Sequence, residues 1–491
     1  MTFATLVSLA WTMTAQAGAA VETGAETPAA VAVPAVMHQP PVIKALPAVK
    51  VTKPARFTLP SGLAVQAVPR HVSPIVVLTV SIQAGSAADP TDKDGLAAAT
   101  ADMMDEGAGS RSALELARDL ETLGASMSIN ANRDGSRLTL RTPVAGLPRA
   151  LALLGDVLAA PRFDEAEWKR VRHDRVTSLV QRRDEPTAAA TVVAGRVIYG
   201  DGHPYAHPAD GYVRTLEAIT RDDLAAFHKT HWVPGAATLI AAGDFQVAAL
   251  KTALTTALAR WKTAPVTKVP AVSKHLLPAQ RPRLVLVDRP GAPQTVVRFI
   301  GPGLPRRSAL RPALTLASTI LGGSFTSRLN SNLREEKGYT YGAFGGFNFN
   351  RDAGTFLVSA DVFTKVTGPA VEQMLKEVSL IRAQPLTSAE LTKARAIDLV
   401  SVAEALSTTP GIAGLFGESA VMGEPPDAAE RFMKALAGKD AGAVKSAVAD
   451  HVDPQTLSLV VVGDRSAIEA PLRALGFPPP ELRDADGDPV P

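Results

Sequence analysis

From Leu63 to Val68 and from Ile75 to Ala84 the chain alternates apolar with polar residues or runs wholly apolar. That is the pattern of two strands, and a Pro-containing turn joins them. Over Asp94 to Glu106 and Ser112 to Leu123 the spacing changes to the three-four rhythm of helices. Ser126 to Asn132 and Ser136 to Arg141 return to strand alternation and flank Arg133-Asp134-Gly135, a hairpin turn. Two long helices are predicted next, Leu147 to Leu158 and Asp164 to Arg183; the acidic start of the second suits the helix macrodipole. The same order recurs downstream. Strands lie at Leu284 and Val296, helices run from Ala309 to Arg334, Tyr339 to Phe349 pairs with Gly354 to Val362, and helices start at Thr367 and Ser388. Strands cluster in hairpins and helices follow in blocks, so the predicted class is α+β, with mostly antiparallel sheets covered by helices on one face.

The recurrence is visible in the letters. His231-Trp232-Val233-Pro234 with Leu239-Ile240-Ala241-Ala242-Gly243-Asp244 matches His451-Val452-Asp453-Pro454 with Leu459-Val460-Val461-Val462-Gly463-Asp464, every pair 220 residues apart. Two homologous halves follow, residues 56–268 and 283–476, with a Pro- and Lys-containing linker over 269–282. Residues 477–491 are Pro- and Asp-rich and are expected to be a loose tail.

Composition narrows the chemistry. The 491 residues hold 51 Lys and Arg against 48 Asp and Glu, so no basic footprint for nucleic acid is present. Cysteine is absent, which removes disulfides, thiolate nucleophiles and Cys-ligated metals together. Any metal would need Asp, Glu or one of nine His. Phe3 to Trp11 is apolar, too short to span a bilayer, and leads to Ala15-Gln16-Ala17, the small-x-small form of a signal-peptidase site. Residues 1–17 therefore read as a signal peptide and the chain as secreted, in a bacterial periplasm; residues 18–55 read as an Ala- and Pro-rich linker.

One stretch is distinctive. Leu321-Gly-Gly-Ser-Phe-Thr-Ser-Arg-Leu329, then Leu333-Arg-Glu-Glu-Lys-Gly-Tyr-Thr-Tyr-Gly342, resembles the C-terminal half of the pitrilysin/insulinase zinc metallopeptidases. Asp288-Arg-Pro-Gly-Ala-Pro-Gln294, Gly202-His-Pro-Tyr205 and the Gly243-Asp244 strand end fit the same family, in the same order. The resemblance covers residues 56–476. It implies two homologous α+β halves per chain, forming one side of a clamshell that a second such chain closes around an unfolded peptide.

Active members carry H-x-x-E-H on the first long helix. Positions i, i+3 and i+4 share a helix face, so two imidazoles grip zinc while the carboxylate handles the attacking water. Here those positions are Ala98, Ala101 and Asp102, and the later glutamate ligand corresponds to Ser178. Methyl groups have no lone pair, so no metal is expected on this chain. The resemblance also implies an Arg and a Tyr that reach to a zinc site and support the scissile peptide, here Arg334 and Tyr341. Arg supplies fixed-charge donors and a Tyr hydroxyl can donate to an oxyanion. Asn130 and Ala131 fall on the strand edge that pairs with substrate backbone in the family. The implied function is a non-zinc subunit of a heteromeric zinc peptidase, inactive alone, with zinc on a partner that keeps H-x-x-E-H. The alternative is a catalytically silent structural or peptide-binding subunit; a third reading, an autonomous peptidase, would need a relocated metal site. No membrane span and no nucleic-acid partner are expected.

Other constellations carry less. His203 and His207 are each followed by Pro, so neither sits mid-helix. His228 and His231 flank a helix end, and His231 recurs as His451. Ser324 and Ser327 lack the Gly-x-Ser-x-Gly elbow, and Gly322-Gly323 lacks a Walker lysine. Asp102, Asp105 and Glu106 read as a solvated acidic helix end.

Overall fold

The computed structural model describes residues 51–272 and 283–490. The leader, nearly all of the first linker and most of the interdomain linker lie outside the described residues. In the first half, strands β1 (Ala55–Thr58), β2 (Ala64–Pro69) and β3 (Ile75–Ile82) precede helices α1 (Leu96–Met103) and α2 (Ala113–Thr122). The hairpin β4 (Ser126–Ala131) and β5 (Ser136–Pro143) leads into α3 (Leu147–Ala159), α4 (Glu165–Asp184), α5 (Pro186–Tyr199), α6 (Val213–Ala218) and α7 (Arg221–His231). Strand β6 (Ala237–Gly243) and α8 (Val247–Ala257) close the half. The second half runs β7 (Leu284–Asp288), β8 (Gln294–Pro302), α9 (Arg311–Leu321), a π-helical segment (Asn330–Glu336), β9 (Thr340–Phe349) and β10 (Gly354–Phe363). It continues with α10 (Thr367–Ala383), α11 (Ser388–Ser407), α12 (Thr409–Val421), α13 (Ala428–Ala437), α14 (Ala441–His451), β11 (Ser458–Gly463), α15 (Arg465–Ala474) and β12 (Glu481–Leu482).

Each half builds a six-stranded sheet, ordered β1-β2-β6-β3-β5-β4 and β12-β7-β11-β8-β10-β9. The repeat is in the register. Leu239 lies opposite Val65 and Val80, while Leu459 lies opposite Leu284 and Phe299. In both sheets one inner pair is parallel, β2 with β6 and β7 with β11, and the hairpins are antiparallel. The chain is thus α+β in two homologous halves, as its pattern implies.

The expectation that helices cover one sheet face falls short, because both faces are covered. β6 and β11 are apolar on both sides, the composition of strands without a wet face. One face of each sheet packs on its own half's helices, with Leu78, Val80 and Leu239 in the first core and Val297, Phe299 and Leu459 in the second. The opposite faces are exchanged. Ala190, Val193 and Val197 of α5 lie on Val285, Val296, Val460 and Val462 of the second sheet. In return, Ile412, Ala413 and Phe416 of α12 lie on Val68, Val77, Ile240 and Ala242 of the first. No single helix among the described residues is long and apolar enough to cross a membrane; the apolar α12 is broken from α11 by 111° and spent on this contact.

The two hairpin turns meet between the halves. Arg133-Asp134 recurs as Arg351-Asp352. Asn132 Oδ1 accepts from the amides of Asp134 and Gly135, each at 2.9 Å, fixing the first turn. A Cβ on Gly135 would stand 2.4 Å from the carbonyl oxygen of Ile82, so the turn has room only for glycine. Asp134, 2% exposed, accepts from the buried Tyr205 hydroxyl and, at 2.9 Å, from the amide of Arg351. Burial and this carboxylate push the Tyr205 hydroxyl far above the usual range of a phenol. Asp134→Ala strands both donors in a dry site, and a loss of about 2–3 kcal/mol is expected. Urea unfolding checks this, with Tyr205→Phe in the same background recovering part of the loss.

The last residues are not the loose tail their composition suggests. β12 adds parallel to β7. Beyond it, Asp486 accepts from Arg183 at 2.5 Å, and Asp488 takes Arg196 at 2.6 Å and Arg214 at 3.2 Å. The acidic turn is neutralised by arginines of the first half.

Candidate functional site

Helix α1 starts at Gly95, whose φ of 98° is open to glycine, and its free amides are held by Asp89, which accepts from Gly95 and Ala97 at 2.8 Å each. Burial pushes the Asp89 carboxyl up to about 8, against the lowering effect of those amides. Ala98 and Ala101 are both buried on α1. Neither methyl offers a lone pair to a metal. Asp102 makes an ion pair with Arg175 of α4, and Arg175 lies 3.7 Å from Asp210. One turn on, Glu106 pairs with Arg170 at 2.5 Å, and Arg170 also takes Glu167 at 3.0 Å. Ser178 is exposed and donates its hydroxyl to the carbonyl of Asp174 at 3.0 Å.

Zinc does not fit this set. Two positions are methyls, the one carboxylate is taken by a guanidinium, and the serine bonds its own helix. Among the described residues no group of three His, Asp or Glu is placed to hold a metal. The α1–α4 contact is carried by ion pairs instead. Beside them, burial first, then Glu106 and Asp102, push the Asp105 carboxyl up to about 6. Its folded value lies above its unfolded one, so Asp105 costs stability as pH rises from about 4 through 6. Asp105→Asn is therefore expected to raise Tm at pH 7, by roughly 1–3 kcal/mol of stability, and to do nothing below pH 4. Thermal melts across that range check the sign.

The second half presents a different face. α9 stops at Gly322, where a Cβ would stand 2.0 Å from the amide nitrogen of Gly345, so helix and strand touch backbone to backbone. The loop that follows projects Phe325, 63% exposed. In the π-helical segment, Asn330 copies a strand partner: its Oδ1 accepts from the amide of Ala343 and its Nδ2 donates to the carbonyl, both at 2.9 Å. That caps the outer edge of β9. The segment ends at Gly338, φ 64°, with the amide of Tyr339 donating to Leu333 at 2.8 Å. This tight reversal returns Tyr341 beside Arg334. The Arg334 guanidinium lies 3.9 Å from the Phe325 ring centre and 5.5 Å from that of Tyr341, a cation between two rings. Tyr341 is 93% exposed.

Asn130 and Ala131 lie at the end of β4, whose only strand partner among the described residues is β5. Ladder alternation turns the backbone groups of Met127, Ile129 and Ala131 to the open side. The two edges therefore differ, one open and one capped. Arg334 and Tyr341 stand together, as do Asp102 and the α4 face that carries Ser178. Among the described residues no hydrogen bond or ion pair joins the first pair to α1 or α4. Sequence reasoning missed Phe325, inside the distinctive stretch, Asn330, between its two segments, and Arg175, which stands at i−3 to Ser178 on the same helix.

The insulinase (peptidase family M16) model matches residues 65–192, and the peptidase M16 inactive domain model matches residues 218–397. The chain belongs to the M16 peptidase family. An uncharacterized zinc protease of Mycobacterium tuberculosis is 28% identical over 257 residues, 51% of this chain and 57% of that one. The non-peptidase homolog YmxG of Helicobacter pylori is 21% identical over 58% of this chain and 64% of its own. Among solved structures, a peptidase M16 inactive domain from Pseudomonas fluorescens superposes with a TM-score of 0.77 at 24% identity, covering 84% of this chain and 98% of that one. A complex III chain from Candida albicans gives 0.72 at 14% identity, over 84% and 97%. The M16 chain described here is of the inactive type.

Proposed function

We infer that this chain is the non-zinc subunit of a heteromeric M16 peptidase. A partner with intact H-x-x-E-H holds the zinc, and this chain contributes Arg334 and Tyr341 to binding the peptide and stabilising the oxyanion. The observation that carries the reading is Tyr341, 93% exposed, beside an Arg334 guanidinium stacked between two exposed rings. Leaving such apolar surface in water has a cost that a contact from outside the chain repays. A phenol hydroxyl facing solvent and an Arg with donors to spare match what a peptide carbonyl needs. The open edge of β4 near Asn130 and Ala131 can add a peptide strand. The apolar Phe3–Trp11 segment with Ala15-Gln16-Ala17 supports placing the pair in a bacterial periplasm.

The test is reconstitution with a family member of similar length that carries H-x-x-E-H, followed by cleavage of an unfolded polypeptide. Cleavage that appears only on mixing, and falls when Arg334 or Tyr341 is replaced, supports the reading. Normal assembly with turnover indifferent to both residues favours the silent peptide-binding subunit, the reading that the non-peptidase name of the Helicobacter homologue favours.

A further inference from the structure

A cleft of about 640 Å³ opens between the halves, on the side where the two hairpin turns meet, and it plays no part in the site described above. That volume is in the range of small-molecule sites. Its walls come from the segment after α8, the turn joining β9 to β10, and the residues following α12. Lys268, Arg307 and Arg351 all line it, with His231 and Gln83, and Asp352 is the one carboxylate among the described lining residues. Asp352 is spent on Arg351 Nε at 3.1 Å and the amide of Val272 at 3.3 Å. Arg351 is 11% exposed, donates Nη1 to the carbonyls of Gln83 and Asp134, and keeps a buried Nη2 with no partner. The nearby acid Glu424 is taken by Arg306 at 3.2 Å and Arg311 at 2.5 Å. Neither carboxylate reaches Lys268 or Arg307, so two exposed cations face the cleft with no ion-pair partner among the described residues.

Two unpaired cations from separate segments, beside the Arg351–Asp352 pair, repel one another, and a cleft with low-dielectric walls concentrates their field. A ligand with two or more negative charges relieves that repulsion and can take charge-assisted hydrogen bonds from both. We propose that this inter-half cleft binds a small polyanion, a phosphate ester or a polycarboxylate. The ligand bridges the first half through Lys268 and the second through Arg307, and so binds only the folded chain.

Calorimetric titration and thermal melts of the full chain, with inorganic phosphate and with citrate at constant ionic strength, test this. The expected result is saturable binding with a Tm rise of about 2 °C or more. Lys268→Glu and Arg307→Glu, both at exposed positions, should weaken binding at least about tenfold. Arg118→Glu, an exposed change on α2, should leave it intact. Tighter citrate assigns a polycarboxylate, and tighter phosphate a phosphate ester. No saturable binding of either anion, an equal response to chloride, or binding untouched by Lys268→Glu and Arg307→Glu would overturn the proposal. None of these readouts involves peptide cleavage, so they stand apart from the subunit reading.

Discussion

Replacing Tyr341 with Phe in the reconstituted pair is expected to lower kcat for peptide cleavage by about 10²–10³-fold, with KM little changed. The ring stays, so the stack over Arg334 and the apolar contact survive; only the hydroxyl goes. A donor that acts on charge developing in the transition state appears in kcat, whereas one that only grips substrate appears in KM. Arg334→Ala should differ in kind. It removes a guanidinium held between Phe325 and Tyr341, which frees both rings as well as removing donors. Both KM and kcat are expected to suffer, and Arg334→Lys should restore little, because an ammonium neither stacks nor forks as a guanidinium does. Steady-state kinetics on pairs matched for assembly by size exclusion checks both. Tyr341→Phe should not unfold the chain, since Tyr341 is 93% exposed.

The second large effect lies in the helix exchange. Phe416 of α12 is 2% exposed and packs on the face of the first sheet formed by Val68, Val77, Ile240 and Ala242. Phe416→Ala removes a ring from a buried contact between the halves. A loss of about 3–5 kcal/mol is expected, read as a fall in the urea midpoint. The contact joins the halves, so the loss should appear in the unfolding of both, as one transition shifted as a whole. Ile412→Val, which removes one methylene from the same patch, should cost about 0.5–1.5 kcal/mol. Either half expressed alone would present an uncovered apolar sheet face and should aggregate.

Much of this was legible in the letters. The Leu239 and Leu459 strands, 220 apart, are equivalent in their sheets, and strand and helix rhythms placed the hairpins within a residue or two. The exchange of α5 and α12 was not legible. An apolar helix such as Thr409–Val421 reads identically whether it lies on its own sheet or on the other half's, because periodicity records that a face is buried and not what buries it. The last residues misled for a related reason: Asp486 and Asp488 look solvated until Arg183 and Arg196, some three hundred residues earlier, are brought against them. At the site, that Ala98 and Ala101 carry no donor for a metal could be read directly. The guanidinium of Arg175 on Asp102 could not, since it depends on how α1 and α4 cross. The Arg334–Tyr341 pairing was expected from a helix end and a turn. Yet the chain reaches it through a π-helical segment anchored by Asn330 on Ala343, a bond between an amide side chain and a strand edge that no periodicity announces.

The most direct measurement is zinc content and peptide cleavage for the purified chain and for its mixture with an H-x-x-E-H partner, side by side. No stoichiometric zinc and no cleavage are expected for the chain alone, and one zinc per pair with cleavage in the mixture. Stoichiometric zinc in the isolated chain, accompanied by peptide cleavage, would contradict the subunit reading.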